Sequence, residues 1–564
     1  MIVDHLILGG GSAGCVLAAR LSADPGRTVV LVEAGRNISA DDIPDAIRSR
    51  YPGRAYLDTG NIWARLTARM GYARSNAAPR SSRRYEQAKL LGGGSAINAL
   101  MANRGSPGDY AEWQALGAEG WGWDDCLPYF LRIEADRDFS GPLHGKDGPL
   151  TIRRIPDGRI SPFVDRVMKT LDRRGHPIRA DQNGPWEDGT FRGAVAVSDA
   201  GERLPTSLAY LTAEVRRRPN LRIVTECVAD RILFEGRRAV GAVLSGAANE
   251  TVRAREVIVS AGAIHTPALL MRSGVGPAGD LAVMGVPVAV DSGAVGRNLM
   301  EHPSIAVAAY LPRHMRVRDP AEHHEQAIWR FSSGIEGAPQ GDMHAAILSR
   351  SGWHSVGLRM GSLFFWVNKS YSRGVVRLAS ADPRAEPDVD FRMLSDARDL
   401  DRLKLALRMG AAALSDPFMD GHRGTVFPSS YSPRVAKVAV PGTWNALQRG
   451  MLSAMLDVAG PLRPALVHAA VTLGTTLQGL LDDDDALTEF VRRHVGGTWH
   501  PSGTCRMGAV GDPAAVTSPT GKVHGAKGLR VCDASLMPSI PCANTNIPTI
   551  MIAERIADFV LDGR

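Results

Sequence analysis

The stretch from Ile7 to Glu33 constrains the chain more than any other. It reads Ile7-Leu8-Gly9-Gly10-Gly11-Ser12-Ala13-Gly14, then an apolar-periodic run from Cys15 to Leu21, then Thr28-Val29-Val30-Leu31-Val32-Glu33. This pattern predicts a short buried strand, a glycine turn, a helix and a second strand ending on a carboxylate. Glycines at 9, 11 and 14 have the spacing in which one makes a tight turn, one admits a pyrophosphate and one lets helix pack on strand. The helix N-terminus then offers free N–H groups and a positive dipole end to phosphates. Glu33 lies nineteen residues past Gly14, where such a unit places an acid on the ribose hydroxyls of an adenosine.

At 564 residues the chain exceeds one core, and about 150 residues per domain predicts two to four domains. The net charge of +7 raises the question of an anionic partner, but the arginines are scattered and form no basic block, so no nucleic acid is expected. Cys15, Cys126, Cys227, Cys505, Cys532 and Cys542 show no C-x-x-C pair and no zinc spacing. They read as small buried hydrophobes in a reducing compartment, with no metal site expected. The first strand begins almost at Met1, leaving no room for a secretory signal, and no run of about 18 apolar residues reads as a membrane span. A cytoplasmic location is expected.

From Ala34 to Arg84 periodicity gives way to Arg, Gly and Pro, as in an excursion that covers a site. A second glycine cluster follows in Leu90-Leu91-Gly92-Gly93-Gly94-Ser95-Ala96-Ile97-Asn98, and it suits either close approach to a ligand or an irregular turn. Trp113, Trp121 and Trp123 look like packing. Leu221–Val224 and Val257–Ser260 read as strands returning to the nucleotide sheet, and Thr266-Pro267 as the start of a helix running to Gly276. The region from His302 to about Arg492 reads as a second, substrate-facing domain, with a strand near Gly374–Ala379 and a helix over Asp396–Ala413. Residues 440–481 are apolar, helix-compatible and broken near Gly460-Pro461. They predict a buried or dimer-forming helical hairpin or, because Lys437, Arg449 and Arg463 accompany them, a segment resting on a membrane surface.

The last seventy residues carry the chemistry. Gly496–Thr504 places His500 in a loop bounded by glycine and proline, a position with little reason to exist for packing. Gly528–Ala534 reads as a strand ending in Asp533-Ala534. Pro548 reads as the first position of a closing helix, so that Thr545–Thr549 present N–H groups and a positive dipole end to a ligand that becomes anionic on reduction.

Taken together, the Gly9 fingerprint, the Leu90–Asn98 cluster, the Gly262–Gly276 segment and the His500 and Asn544 blocks resemble the glucose-methanol-choline flavoprotein oxidoreductases over nearly the whole chain. Tyr85-Glu86-Gln87, Trp113–Gly117, Phe365–Lys369 and Leu394-Ser395-Asp396 are similar to the oxidases of the 5-hydroxymethylfurfural type within that family. The resemblance implies an α/β chain: a Rossmann-like FAD-binding domain with a second α+β substrate domain, the two-domain architecture shared with p-hydroxybenzoate hydroxylase. The expected division is 1–155, 200–300 and 495–564 for FAD, and 156–199 and 301–494 for substrate.

The resemblance also implies FAD as cofactor. By motif, Gly9, Gly11, Ser12, Gly14 and Glu33 would hold its ADP half and Val228 the adenine. Leu91, Gly92, Asn98 and Met101 would line the isoalloxazine side, and Asp533, Ala534, Asn546 and Thr549 the ribityl and pyrimidine side. Some relatives tether FAD through a histidine directly before the asparagine of the glycine cluster; Ile97 stands there and forms no such bond, so non-covalently bound FAD is expected. His500 would take a proton from the hydroxyl of a primary aromatic or furanic alcohol, Asn544 would hold the same oxygen, and Thr498 and Trp499 would shape the pocket, with Trp366 and Phe365 either walling it or packing as ordinary core. Electrons would pass to O2. The alternatives are a choline-dehydrogenase-type enzyme serving a quinone or other carrier and a flavin-dependent lyase.

Overall fold

The computed structural model describes residues 2–71, 82–429 and 437–564. The apolar runs Ile2–Leu8 and Val29–Val32 lie side by side and parallel at the centre of a seven-stranded sheet. Leu221–Val224 extends it beyond Val29–Val32, again in parallel. On the other side Ile2–Leu8 pairs in parallel with Glu250–Val259, whose far edge is shared. Its first residues pair with the antiparallel ribbon Arg238–Gly246 and Cys227–Glu235, and its last with Leu529–Val531. Leu6–Leu8 and Val29–Val32 read as unbroken Val, Leu and Ile and are fully buried, so both side-chain directions are apolar there.

The helix Ser12–Leu21 lies along the closing helix Asn546–Leu561, with an ion pair between them in which the carboxylate is buried. Arg20 donates Nε–H and Nη2–H to Glu554 at 2.8 Å each, and Tyr210 donates its hydroxyl to the same carboxylate. The closing helix starts at Asn546, two residues before the expected start at Pro548, which is its third residue. Nothing is lost there, because no N–H in a helix's first turn has an intrahelical acceptor.

The helix expected from Thr266 begins earlier, at Gly262, and holds Pro267 inside it, ending at Arg272. Side chains supply what the sequence pattern leaves out. Asp533 accepts the Gly262 N–H at 2.8 Å and Thr266 Oγ1 accepts the Ala261 N–H at 3.0 Å. The Ala263 carbonyl, which Pro267 cannot pair with, accepts the Thr504 hydroxyl at 2.6 Å.

A second seven-stranded sheet runs in the order 426–429, 304–310, 360–367, 343–348, 325–331, 189–192, 178–179. Its core packs against the helices Pro162–Arg173 and Ala397–Leu414, the latter capped by Asp396, which accepts the Arg398 N–H at 3.0 Å. Leu66, Ala68, Met70 and Tyr85 also enter this core.

Residues 443–482 form helices over Thr443–Val458, Arg463–Ala470 and Leu477–Asp482, with the expected break at Gly460–Leu462. Trp444, Leu447, Met451, Met455 and Val458 line one exposed side, Val458 at 83% exposure. Two of the cations that would meet a membrane turn inward. Arg449 is buried and donates to the Val438 and Val440 carbonyls, while Arg463 donates to Leu456 and lies 4.2 Å from the Tyr310 ring. Among the described residues no helix is long and apolar enough to cross a membrane.

Candidate active site

The glycines at the end of Ile2–Leu8 are where they are because nothing else fits. Gly9 has φ +115°, and a Cβ there would lie 2.3 Å from the Ser260 carbonyl oxygen. A Cβ on Gly14 would lie 1.9 Å from the Gly9 carbonyl oxygen, so this glycine lets helix pack on strand. Gly11 meets no atom closer than 3.9 Å and faces open space, as an approach path for a diphosphate requires.

The second glycine cluster abuts the first. Gly92 N–H donates to the Gly10 carbonyl at 2.8 Å, and Gly93, at φ +53°, brings its backbone so near that a Cβ would meet Gly11 Cα at 2.7 Å. Glu33 is buried at the end of its strand and accepts the Gly10 N–H at 2.9 Å and the Gly35 N–H at 2.7 Å. The Ser12 hydroxyl donates to Asn546 Oδ1 at 2.7 Å, joining the N-termini of the first and last helices. Two positive dipole ends therefore converge on one space.

That space is a cavity of about 1870 Å³. Sites for a single small ligand usually measure roughly 300–1,000 Å³. Gly9, Gly11, Ser12, Glu33 and Val228 border it together with Asn98, Met101, Asp533, Ala534, Asn546 and Thr549, and so do Trp366, Thr498, Trp499, His500 and Asn544. An elongated ligand with a diphosphate at one end and a planar ring system at the other fits both the glycine cradle and the length. Gly14, Leu91 and Gly92 stand behind the wall as packing. Of the two readings open for Phe365 the structure takes the core one: it is fully buried in the second core, and Phe364 borders the cavity instead. Side chains alternate along a strand, so Phe364 and Trp366 share one face and Phe365 takes the other.

At the far end, His500 follows Trp499, a non-glycine residue with φ +61°. Such a conformation costs on the order of 1–3 kcal/mol and needs holding. Glu301 does the holding: both its carboxylate oxygens accept the His500 N–H, at 2.9 and 3.0 Å. It also takes the Thr498 hydroxyl at 3.0 Å, the His302 N–H at 2.8 Å and the Tyr85 hydroxyl. Burial raises the Glu301 pKa, against the pull of these donors.

The protonation of His500 follows from its partners. His302 Nε2 lies 3.1 Å from the Pro541 carbonyl, which only accepts, so this nitrogen carries a hydrogen. Burial pushes the His302 pKa down to about 3, so the ring is neutral and its Nδ1 is an acceptor. His500 Nδ1 lies 2.9 Å from it and 2.7 Å from Thr498 Oγ1, whose own hydrogen goes to Glu301. His500 therefore carries its hydrogen on Nδ1 and keeps a lone pair on Nε2. Burial, and then His302, lower its pKa well below the ordinary histidine value.

Asn544 is oriented from the other side. Its Nδ2 donates to His500 Nε2 at 3.2 Å, and its Oδ1 accepts Asn103 Nδ2–H at 2.7 Å. Asn103 Oδ1 accepts Gln182 Nε2–H, and Gln182 Oε1 accepts the Ala194 N–H at 3.1 Å. A line of hydrogen bonds thus runs one way from a backbone N–H to the Pro541 carbonyl, and each amide and ring has one orientation. The carbonyl itself is anchored. Lys369, buried, donates to Asp109 at 3.0 Å, Ser539 at 3.0 Å and the Ile540 carbonyl at 2.9 Å, and Asp109 accepts the Cys542 N–H at 2.9 Å.

Sequence reasoning found His500, Asn544 and the glycine cradle and missed Glu301, His302, Asn103 and Gln182. The signal available for the first two was a Glu-His pair placed after Gly296-Arg297-Asn298, with no periodic reason to be there.

The family model of the GMC oxidoreductases matches this chain in two parts, residues 3–304 and 370–553. The 5-(hydroxymethyl)furfural oxidase of Methylovorus sp. (strain MP688) is 41% identical to it over 572 residues, 99% of each chain. The oxygen-dependent choline dehydrogenase of Burkholderia pseudomallei (strain 1710b) is 33% identical, over 98% of this chain and 93% of its own. Among solved structures, a pyridoxine 4-oxidase from Mesorbium loti superposes with a TM-score of 0.82 at 26% identity, covering 99% of both chains. A formate oxidase shares the fold at a TM-score of 0.81 and 22% identity, covering 100% of this chain and 98% of its own.

Proposed function

The chain belongs to the GMC oxidoreductase family and is an FAD-dependent alcohol oxidoreductase of the oxidase type, and from that premise we propose that it oxidises a primary aromatic or furanic alcohol to the aldehyde with His500 as base. The observation that carries this reading is the lone pair of His500 Nε2, set 3.2 Å from the Asn544 amide on a cavity continuous with the glycine cradle.

The cradle fits FAD. Gly9, Gly11, Ser12 and Glu33 would hold its diphosphate and ribose with Gly14 packing behind, and Val228 would lie at the adenine. Asn98, Met101, Asp533, Ala534, Asn546 and Thr549 would border its ring system, backed by Leu91 and Gly92. When bound, FAD supplies the acceptor for the hydride leaving the alcohol carbon. The protein's residues manage the proton. The substrate oxygen would reach both His500 Nε2 and Asn544 Nδ2–H from the cavity, replacing the hydrogen bond between them; Nε2 takes the hydroxyl proton and the amide hydrogen bond steadies the charge that develops on oxygen. His302 accepts from the far side of the same ring and fixes the tautomer in which Nε2 is free. Trp366, Thr498 and Trp499 shape the pocket.

FAD is held without a covalent bond in this reading, because Ile97 stands beside Asn98 on the cavity wall and offers no nucleophile. Residues 1–155, 200–300 and 495–564 would form the cofactor domain and 156–199 with 301–494 the substrate domain, a division supported by the two large sheets.

Anaerobic mixing with benzyl-type and furanic alcohols tests the reading. Bleaching of the yellow flavin is expected, and none from any primary alcohol would sink it. The choline dehydrogenases among the relatives favour one alternative, transfer of electrons to a quinone or other carrier. An oxygen electrode with and without an artificial dye separates the two. The apolar side of Thr443–Val458 supports peripheral membrane contact as a further reading; protein that stays at the bottom of a liposome gradient at low salt removes it.

A further inference from the structure

Glu325 begins the strand Glu325–Phe331, is 6% exposed and borders the cavity. Its Oε1 is buried without a hydrogen bond, and no ion pair or hydrogen bond reaches its carboxyl among the described residues. A buried polar group left unpaired costs several kcal/mol on transfer scales and calls for a partner. The strand register slips between Glu325 and Ala327, which takes this side chain out of strict alternation.

Its position relative to the reacting end follows from the sheet. Trp366 pairs with His344 and stacks on it at 4.2 Å, and His344 lies near enough to His500 for the two to interact electrostatically. Glu325 pairs with Leu348, four residues further along that strand, roughly 13 Å at 3.3 Å per residue. Between them Ala346, Leu348 and Phe364 give an apolar wall with no polar side chain of their own.

We propose that Glu325 receives the far end of the substrate: an alcohol that carries a carbonyl oxygen one or two aromatic rings away from its CH2OH group. This rests on the alcohol-oxidase reading above and assigns the residue that discriminates among its substrates by their far end. Burial alone pushes the Glu325 pKa up to about 8, so at neutral pH the carboxyl keeps its proton and donates it to an acceptor. The titratable and charged groups around it do not oppose this. His323 and His324 on its own segment are pushed down to about 3 by burial and stay neutral. Arg350, beyond Leu348, gives its two terminal nitrogens to the Pro320 and Glu322 carbonyls, lies 3.6 Å from the Tyr51 ring and, among the described residues, leaves only Nε unpaired, with no ion pair to Glu325. His344, further along the sheet, is held neutral by burial.

The test compares 4-(hydroxymethyl)benzaldehyde with 4-methylbenzyl alcohol, and 6-(hydroxymethyl)-2-naphthaldehyde with its 6-methyl counterpart, by kcat/KM at pH 6.5 and 9.5. Taking the ratio within each pair cancels the titration of His500. One hydrogen bond predicts a preference for the aldehyde of roughly two- to tenfold at pH 6.5 in at least one pair, lost at pH 9.5 when the carboxylate repels the carbonyl. Glu325→Gln, which keeps an N–H donor, retains the preference and loses its pH dependence; Glu325→Leu equalises the pair. A ratio of one in both pairs overturns the proposal, as does a preference that survives Glu325→Leu. So does better turnover of 4-(aminomethyl)benzyl alcohol than of the aldehyde. If none of these alcohols bleaches the flavin, the oxidase reading itself fails, a result distinct from bleaching without discrimination.

Discussion

Asn103→Asp reverses one link of the hydrogen-bond line while preserving shape. Asn103 now donates Nδ2–H to Asn544 Oδ1 at 2.7 Å and accepts from Gln182. A carboxylate still accepts from Gln182, but it only accepts, so Asn544 must turn its amide and give Nδ2–H to residue 103. Its Oδ1 then faces His500 Nε2, and the substrate oxygen loses its donor. A hydrogen bond to a group gaining charge is worth about 1.5–3 kcal/mol, and each 1.36 kcal/mol is tenfold, so kcat/KM for a primary alcohol falls roughly ten- to a hundredfold. The buried negative charge also raises the His500 pKa, which moves the acid limb of the kcat/KM profile to higher pH. Asn103→Ala, which removes the link without reversing it, loses less and leaves the limb in place. Stopped-flow flavin reduction across pH reads both effects. Wild-type rates with an unmoved acid limb in Asn103→Asp would refute the orientation argument.

Four further outcomes follow from the same geometry. His500→Ala keeps FAD, seen by its absorbance, and slows anaerobic flavin reduction by about 10²- to 10⁴-fold, the usual range for a lost general base. In the wild type, His500 is active when neutral and its pKa lies below the ordinary value, so kcat/KM holds its plateau at pH 6.5 and falls only at lower pH; a limb centred at or above 6.5 contradicts this. His144, clamped by Asp136, Asp181 and Glu134, has its pKa raised to about 10, so its stabilisation is complete below pH 6.5 and is lost as pH rises through 10. Urea midpoints of wild type and His144→Gln at pH 6 and 10.5 should differ at the first pH and converge at the second. Acid precipitation should leave the yellow colour in the supernatant, and a yellow pellet would disprove dissociable FAD.

What the sequence made legible was local. The fingerprint around Gly9 declares itself because turn, helix and strand lie within 27 residues and each glycine has a steric reason. The helix expected over Asp396–Ala413 lies one residue further on, at Ala397–Leu414, and His500 stood out as an imidazole in a loop with no packing role. The groups that orient His500 were hidden for the opposite reason. His302 and His500 are 198 residues apart, Asn103 and Asn544 are 441 apart, and nothing in the spacing of either pair says that they touch. Phe365 stayed open between pocket and core because aromatic content alone does not reveal which parity of a strand faces the cavity, and the helix at Gly262 was misplaced because its cap lies on Asp533, 271 residues away.

The junction of Ser12 with Asn546 has a consequence for biosynthesis. The two dipole ends that face the diphosphate come from segments 534 residues apart, and the strand Leu529–Val531 fills its place in the first sheet only after nearly all the rest is made. During translation the emerging chain holds half a cradle, with the counter-face still on the ribosome. Flavin loading therefore belongs after release, and intracellular riboflavin supply should govern the yield of mature enzyme without touching its rate of synthesis.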